Sequence, residues 1–259
     1  MNLARNYPLS IVTPGAGTDS RVTRARSGVD PLRPRTPTII WDWNGTLFDD
    51  VDWCVACMNT MLRRRGLPVL ASADAYRQIF GFPVIDYYRR AGLDLDDEPF
   101  ASLAAEFMGL YRAVDGHTGL FPQAESLLAD CRSAGLHQVI LSASEQTDLA
   151  RQTGLFGIAP YFDQILGISD IYAASKTDLG RAYIERTRPD SAVLIGDTTH
   201  DKEVADALGA DCILVAAGHQ TRAILGASGA YVVDSLADVR SALLPTRPAP
   251  RPPRPTGGL

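Results

Sequence analysis

Lysine and cysteine are scarce in this chain of 259 residues, and long apolar runs are absent from it. Four cysteines in a chain of this length do not make the dense disulfide framework of a small secreted domain. No apolar run approaches the roughly 20 residues that a membrane-spanning helix needs. The first residues also lack the continuous apolar core of a secretory signal. With 46% hydrophobic residues, the sequence predicts a globular protein of the cytoplasm with no membrane partner.

The charges are unevenly distributed along the chain, whose formal net charge is −5. Residues 1–36 contain six arginines and two acids, and residues 245–259 contain three arginines and no acid. The part between these segments is therefore strongly acidic, whereas nucleic-acid-binding domains concentrate positive charge on their folded part. The charge distribution argues against a nucleic-acid partner.

Both ends of the sequence lack the patterns of folded elements. Residues 1–36 have no apolar periodicity and contain several prolines, which favours a disordered leader or a start assigned too far upstream over an organelle transit peptide. The proline and arginine content of residues 245–259 predicts a disordered, polyproline-like tail. The folded part is therefore expected between these two segments.

Strands and helices alternate in most of the folded part. The run TIIWDW predicts a first strand, and after residue 121 short β-branched runs alternate with helical segments. This alternation is typical of right-handed βαβ units and predicts an α/β fold with a doubly wound, mostly parallel, Rossmann-like sheet. Residues 51–117 show only helical periodicity and predict a small all-helical domain inserted after the first strand. The α/β core then comprises residues 37–50 and 118–244.

Reactive side chains follow the predicted strands at their carboxyl ends, where open parallel sheets bind ligands. Asp42, Ser142 and Asp197 each stand at such an end. Lys176, one of only two lysines beside 23 arginines, begins the helix before the last of these strands. A carboxylate there can attack phosphorus or carbon, and phosphoryl transfer also needs a divalent metal, a cation and hydrogen-bond donors. By residue type alone, however, Lys176 is more often an exposed residue at a helix start.

Four segments connect this chain to a known family: IIWDWNGTLFDD, VILSAS, Lys176 and LIGDTTHD, in this order. In these segments the chain resembles the haloacid dehalogenase superfamily of aspartate-nucleophile hydrolases, most of all its phosphoglycolate-phosphatase-like members. The resemblance spans about residues 39–233. It implies a magnesium-dependent phosphatase that hydrolyses a small phosphorylated metabolite through an aspartyl-phosphate. It also implies that the helical insertion is a cap that closes over the substrate.

The resemblance assigns the nucleophile and the metal ligands. Asp42 would be the nucleophile and would also bind Mg²⁺. The other protein ligands of the metal would be Asp197 and the backbone carbonyl of Asn44. Because magnesium prefers oxygen ligands in octahedral geometry, water would complete this set.

The resemblance also assigns residues to the phosphate and to the leaving group. Ser142 and the backbone N–H of Ala143 would hold the phosphate, and Lys176 would neutralise charge between the phosphate and the nucleophile. Thr46 would support the loop, and Asp201 would orient the lysine from behind. The cap residues that fall where relatives place substrate contacts are Phe80, Gly81, Arg77 and Tyr87.

Asn44 departs from the family pattern. Phosphatases of this family usually have an aspartate at this position, which protonates the leaving group and then activates water. An amide can do neither, and the loss of such a group costs on the order of 10²–10⁴ in rate. The metal site should be retained, because residue 44 contributes its backbone carbonyl.

Several explanations of Asn44 are open. The substrate can have a good leaving group, such as an acyl phosphate, or another residue can supply the acid and base; His117 and Glu145 are candidates by residue type. The phosphoryl group can pass to another acceptor, which would make the protein a phosphotransferase. The protein can instead be a catalytically weak module that binds a phosphorylated ligand. Deamidation of Asn44-Gly45 to aspartate would be a contaminating source of activity.

Cys54 and Cys57 form a C-x-x-C pair on a predicted helix. No second pair with matching spacing occurs elsewhere in the sequence. Packing within the helix is therefore favoured for both residues over zinc or redox chemistry.

Overall fold

The computed structural model of the protein describes residues 37–113, 118–168 and 175–244. The predicted leader (1–36) and tail (245–259) lie outside the described residues, as does His117. In the three described stretches, none of the helices combines the length and the apolar character needed to cross a membrane.

The described residues form eight strands and ten α-helices, which follow one another in the order typical of an α/β protein. The strands are β1 (Thr38–Trp41), β2 (Phe48–Asp49), β3 (Gly119–Leu120), β4 (His137–Glu145), β5 (Gln164–Ile168), β6 (Ala192–Gly196), β7 (Asp211–Val215) and β8 (Tyr231–Val233). The helices are α1 (Val51–Arg64), α2 (Ala73–Ile79), α3 (Val84–Arg90), α4 (Phe100–Arg112), α5 (Ala124–Ser133), α6 (Gln146–Leu155), α7 (Lys176–Thr187), α8 (Thr199–Leu208), α9 (Arg222–Gly226) and α10 (Leu236–Leu243). The alternation of strands and helices after residue 121 is as the sequence predicts, whereas the short strands β2 and β3 are not predicted from it.

Six of the strands form one sheet in the order β5-β4-β1-β6-β7-β8, and every neighbouring pair is parallel. Alternate residues of β1 face opposite sides of this sheet. Ile39 and Trp41 belong to the apolar cluster on one side, and Ile40 belongs to the cluster on the other. Helices α5 and α10 pack on the first side, and α7 and α8 pack on the second. The predicted doubly wound α/β sheet is confirmed.

The insertion consists of α1 to α4, which lie between β2 and β3 in the chain. These two short strands pair antiparallel, so the chain enters and leaves the insertion at one place. The helices have an apolar core of their own, which includes Met58, Tyr76, Tyr87 and Leu103. The helical periodicity of this region therefore predicts its secondary structure correctly. Its role as a cap over the substrate stays a prediction.

Candidate active site

Asp42 and Asp197 follow the neighbouring strands β1 and β6 and lie side by side at the carboxyl end of the sheet. Both side chains are buried, with 7% and 1% of the residue exposed. The Thr46 hydroxyl lies 3.2 Å from Asp42 Oδ2 and 3.2 Å from Asp197 Oδ1. Burial raises the pKa of Asp42 to about 6, although the nearby Lys176 ammonium opposes this effect.

Lys176 is the first residue of α7, which begins with a capping box formed by Ser175 and Asp178. This start directs the lysine side chain into the interior, where Nζ donates to Asp42 Oδ1 and, over 2.6 Å, to Asp201 Oδ1. Burial disfavours the ammonium, but the two carboxylates outweigh it and raise the pKa of Lys176. Lys176 is therefore buried beside Asp42 and is not an exposed residue at a helix start.

Asp201 supports both Lys176 and the end of β6. Its Oδ2 accepts hydrogen bonds from the backbone N–H groups of Asp197 and Thr198 and from the Thr198 hydroxyl, at 3.2, 3.0 and 2.8 Å. Burial opposes the charged form of Asp201, but Lys176 and these donors lower its pKa below the usual range. Because both of its oxygens have protein partners, Asp201 is placed to orient its neighbours.

Three carboxylates meet in this site and suit a divalent cation. One oxygen each of Asp42, Asp197 and Asp201 lies within 4.8 Å of the others, and all three side chains are buried. Burial and the charges of the other two carboxylates raise the pKa of Asp197 to about 8. Such mutual repulsion is relieved when a cation binds, so the residues present fit a magnesium site.

Two glycines allow backbone to approach Asp197 closely. A Cβ atom on Gly45 or on Gly218 would lie 2.2 Å from Asp197 Oδ2. Gly45 also has a φ of 72°, a left-handed conformation that side chains disfavour. Glycine is therefore required at position 45, both because of the left-handed backbone conformation and because there is no space for a side chain beside the Asp197 carboxylate.

The Asn44 side chain is fixed by three hydrogen bonds. Nδ2 donates to Asp50 Oδ2 and to the Tyr111 hydroxyl, both at 2.8 Å, and Oδ1 accepts from the Ser144 hydroxyl at 2.6 Å. The surroundings thus provide acceptors for the NH₂ group and a donor for the carbonyl, which matches an amide and opposes a second carboxylate.

Asp50 and His219 form a buried pair behind Asn44. Asp50 Oδ1 accepts from the backbone N–H of Gly45 at 3.1 Å and lies 3.1 Å from His219 Nε2. The backbone N–H of His219 donates to Asp197 Oδ2 at 2.6 Å, and its Nδ1 lies 2.8 Å from the Tyr76 hydroxyl. Burial lowers the pKa of an imidazole, but Asp50 outweighs it and raises the pKa of His219 to about 9.

Neither member of this pair is among the residues predicted from the sequence. His219 lies in the loop after β7, four residues beyond its last residue Val215, so the strand end indicates only the general position of this histidine. Asp50 directly precedes α1 in the first motif, but nothing in that motif indicates its distant partners.

Ser142 and Ala143 lie near the carboxyl end of β4, the strand next to β1. Ser142 is buried, and its hydroxyl accepts from the backbone N–H of Ser144 at 3.0 Å. Glu145, an acid/base candidate by residue type, instead accepts hydrogen bonds from Thr147 and Asp148 at the start of α6. The bonds from Thr147 lower the pKa of Glu145, which suits a helix cap better than a proton donor.

Two of the residues predicted to contact substrate from the insertion, Arg77 and Phe80, are hydrogen-bonded to the protein. Arg77 Nε donates to the carbonyl of Gly218 at 2.8 Å, and the carbonyl of Phe80 accepts from Gln220 Nε2 at 3.1 Å. Tyr87 is 1% exposed within the aromatic core of the insertion. These contacts hold α2 against the loop after β7, and contact of Phe80, Gly81, Arg77 or Tyr87 with substrate stays a prediction.

The comparisons with known proteins agree with this geometry. The family model described as haloacid dehalogenase-like hydrolase matches residues 39–215. The chain belongs to the haloacid dehalogenase-like hydrolases. The four residues Asp42, Ser142, Lys176 and Asp197 fall within the matched range, whereas the last strand of the sheet, β8, lies beyond it.

The relatives of this chain carry different names. Phosphoglycolate phosphatase of Caulobacter vibrioides is 30% identical over 229 residues, which cover 82% of this chain and 94% of that protein. Tyrosine-protein kinase PtkA of Mycobacterium tuberculosis is 29% identical over 205 residues, 78% of this chain and 69% of that protein. The crystal structure of a predicted phosphatase from Clostridium acetobutylicum shows the same fold, with a TM-score of 0.66 and 22% sequence identity. The similarity covers 81% of this chain and 99% of the chain in that crystal structure.

Proposed function

We propose that this haloacid dehalogenase-like hydrolase is a magnesium-dependent phosphatase of a small phosphorylated metabolite. The observation that carries the proposal is the contact of Lys176 with Asp42 beside the carboxylate of Asp197. A buried carboxylate held by a lysine at the carboxyl end of a parallel sheet can attack phosphorus and form an aspartyl-phosphate. The phosphatase names of relatives support the same reaction class.

Each residue of the site has a separate role in phosphoryl transfer. Asp42 provides the attacking oxygen, and Lys176 neutralises the charge that develops on the phosphoryl group. Ser142 and the N–H of Ala143 lie on the neighbouring strand and donate to the phosphate oxygens. Thr46, hydrogen-bonded to both carboxylates, holds the attacking oxygen in place.

Magnesium would be held by Asp42, Asp197 and the backbone carbonyl of Asn44. It would supply positive charge that lets an anionic substrate approach an anionic nucleophile. Burial and the neighbouring carboxylates, which together raise the pKa of Asp197, support this assignment because a bound cation would stabilise the charged form.

Asn44 supports a second candidate, a phosphotransferase of the same fold. Its amide cannot exchange a proton with a leaving group or with water, and all its polar atoms have partners. An aspartyl-phosphate on Asp42 would then persist until a better acceptor than water arrives. The similarity to a tyrosine-protein kinase favours a hydroxyl as that acceptor. If no acceptor takes up the phosphoryl group, the protein is a catalytically weak module that binds a phosphorylated ligand at this site.

Phosphate release from a panel of small phosphate esters and acyl phosphates, with Mg²⁺ or with EDTA, tests the proposal. We expect release with Mg²⁺ that EDTA abolishes, and faster release from acyl phosphates because their leaving groups need no proton. Intact mass of the same samples reports both a stable phosphoryl adduct and deamidation of Asn44. An adduct without release would favour the phosphotransferase, and neither adduct nor release would leave only the binding module.

The pKa shifts predict how the metal-free protein responds to pH. Asp42, Asp197 and His219 all bind their protons more tightly in the folded chain, with pKa values of about 6, 8 and 9. The stability that these protons confer is present in weak acid and is lost as pH rises toward 9. Because each pKa unit corresponds to about 1.4 kcal/mol, we expect the melting temperature in EDTA to fall by roughly 10 °C or more between pH 5.5 and 8.5.

Added Mg²⁺ should raise the melting temperature more at pH 8.5 than at pH 5.5, because it competes with protons for the carboxylates. Asp197→Asn is the diagnostic variant: it should reduce the fall in EDTA and remove most of the effect of Mg²⁺. A wild-type protein that grows more stable in EDTA as pH rises would show that these carboxyl groups are ionised in the folded state.

A further inference from the structure

The start of α1 and the loop after β7 bring three side chains with metal-binding atoms together. Asp50 precedes α1, Cys54 lies in its first turn, and His219 comes from the far end of the chain. One ligand atom of each, a carboxylate oxygen, Sγ and an imidazole nitrogen, lies within 4.8 Å of the others. All three residues are buried, so the cluster is shielded from bulk solvent.

The spacing of these atoms suits a tetrahedral ion. His219 Nε2 lies 3.1 Å from Asp50 Oδ1, and Cys54 Sγ lies 3.6 Å from Asp50 Oδ2. Around tetrahedral zinc, with bonds of about 2.0–2.3 Å, a nitrogen and an oxygen are about 3.3 Å apart and a sulfur and an oxygen about 3.6 Å. The two distances end on the two different oxygens of the Asp50 carboxylate, and one oxygen, Sγ and one ring nitrogen lie within 4.8 Å of one another, close enough to bind one cation.

The surroundings orient the ligands as partners do in known metal sites. His219 Nδ1 is paired with the Tyr76 hydroxyl, which fixes the ring and directs Nε2 toward Asp50. Asp50 is further held by the Tyr111 hydroxyl at 2.7 Å and by the backbone N–H of Gly45. Thiolate and imidazole ligands select zinc-class ions over magnesium, which keeps this cluster distinct from the carboxylate site.

We propose that Asp50, Cys54 and His219 form a binding site for a zinc-class cation, separate from the magnesium site. On binding, the cation replaces the proton of the Cys54 thiol and the proton on His219 Nε2, and both protons pass to solvent. The metal would join α1 to the loop after β7 and so link the insertion to the sheet. The sequence motif C-x-x-C does not define this site, because its second cysteine is not part of the cluster.

Titration with Co²⁺ in excess Mg²⁺ tests the site without any measurement of activity. A cobalt–thiolate bond gives a charge-transfer band in the near ultraviolet, which carboxylate ligands do not give. We expect this band at one Co²⁺ per chain in the wild type and its removal by one equivalent of Zn²⁺. Absence of the band in the folded wild type would overturn the proposal.

Cys54→Ser should remove the band, and Cys57→Ser is the matched control that should retain it. Cys57 lies one turn further along α1, is also buried, and is outside the cluster. His219→Gln, which removes a different ligand, should weaken Co²⁺ binding and provides a second test if the first variant does not fold. A band that persists in folded Cys54→Ser, or that is lost in Cys57→Ser, would place the bound metal elsewhere and contradict the proposal.

Discussion

Changing Asp42 to asparagine is expected to abolish phosphate release, lowering the rate by roughly 10⁴-fold or more. The amide keeps the size of the side chain and can still accept from Thr46, but it is not a nucleophile. Lys176 retains Asp201 as its partner, so the variant should remain folded. Initial rates with Mg²⁺ give the effect, and intact mass after mixing with substrate should show a phosphoryl adduct in the wild type alone.

Asp211→Asn is the matched control for this change. Asp211 is an exposed aspartate at the first residue of β7, at the opposite end of the parallel sheet from the site. The substitution removes one negative charge, as Asp42→Asn does, but outside the carboxylate cluster. The rate of phosphate release should therefore be unchanged. If Asp42→Asn kept most of the activity while folded, another residue would have to be the nucleophile.

A carboxyl group at position 44, combined with loss of the charge at position 50, is expected to raise hydrolysis by on the order of 10²–10⁴-fold. The double variant Asn44→Asp/Asp50→Asn makes this change. Its new carboxyl lies where the amide of Asn44 now lies, accepts from Ser144 and is free to exchange a proton. Phosphate release from an ester with a poor leaving group is the most sensitive measurement, because such a group needs the proton most.

The single variant Asn44→Asp should gain less than the double variant. Its new carboxyl would stand about 2.8 Å from Asp50 Oδ2, the distance that Asn44 Nδ2 has now, and two carboxylates so close do not both ionise. The pKa of the new carboxyl is therefore raised, and its action as a base shifts to higher pH. Asp50→Asn alone, with the amide still at position 44, is the control that should show no gain.

Equal rates and equal pH profiles for the single and double variants would contradict this account. That result would mean that Asp50 does not influence the side chain at position 44. Unfolding curves of all three variants are needed with the rates, because Asp50 also holds Gly45 and His219.

The central part of the site could be predicted from the sequence because a parallel sheet aligns its strand ends. Asp42, Ser142 and Asp197 each follow a short apolar run, and Lys176 follows a capping serine. Such local patterns fix both the element and its last or first residue. That these residues lie close together then follows from the order of the strands in the sheet.

The partners of Asn44 could not be predicted in this way. Tyr111 is 67 positions away along the chain and Ser144 is 100 away, and the contacts depend on how α4 packs against the sheet. The burial of Tyr87 illustrates the same limit, because it depends on how the helices of the insertion pack together. Side-chain packing between distant elements leaves no periodic pattern in the sequence.

Three consecutive residues, Gly218, His219 and Gln220, contact α2 or the residue that follows it. The same short segment donates a backbone hydrogen bond to Asp197. Movement of α2 away from the sheet would therefore disturb the orientation of a reactive carboxylate at the same moment. The position of the insertion and the geometry of the carboxylate pair are therefore coupled through one segment of three residues.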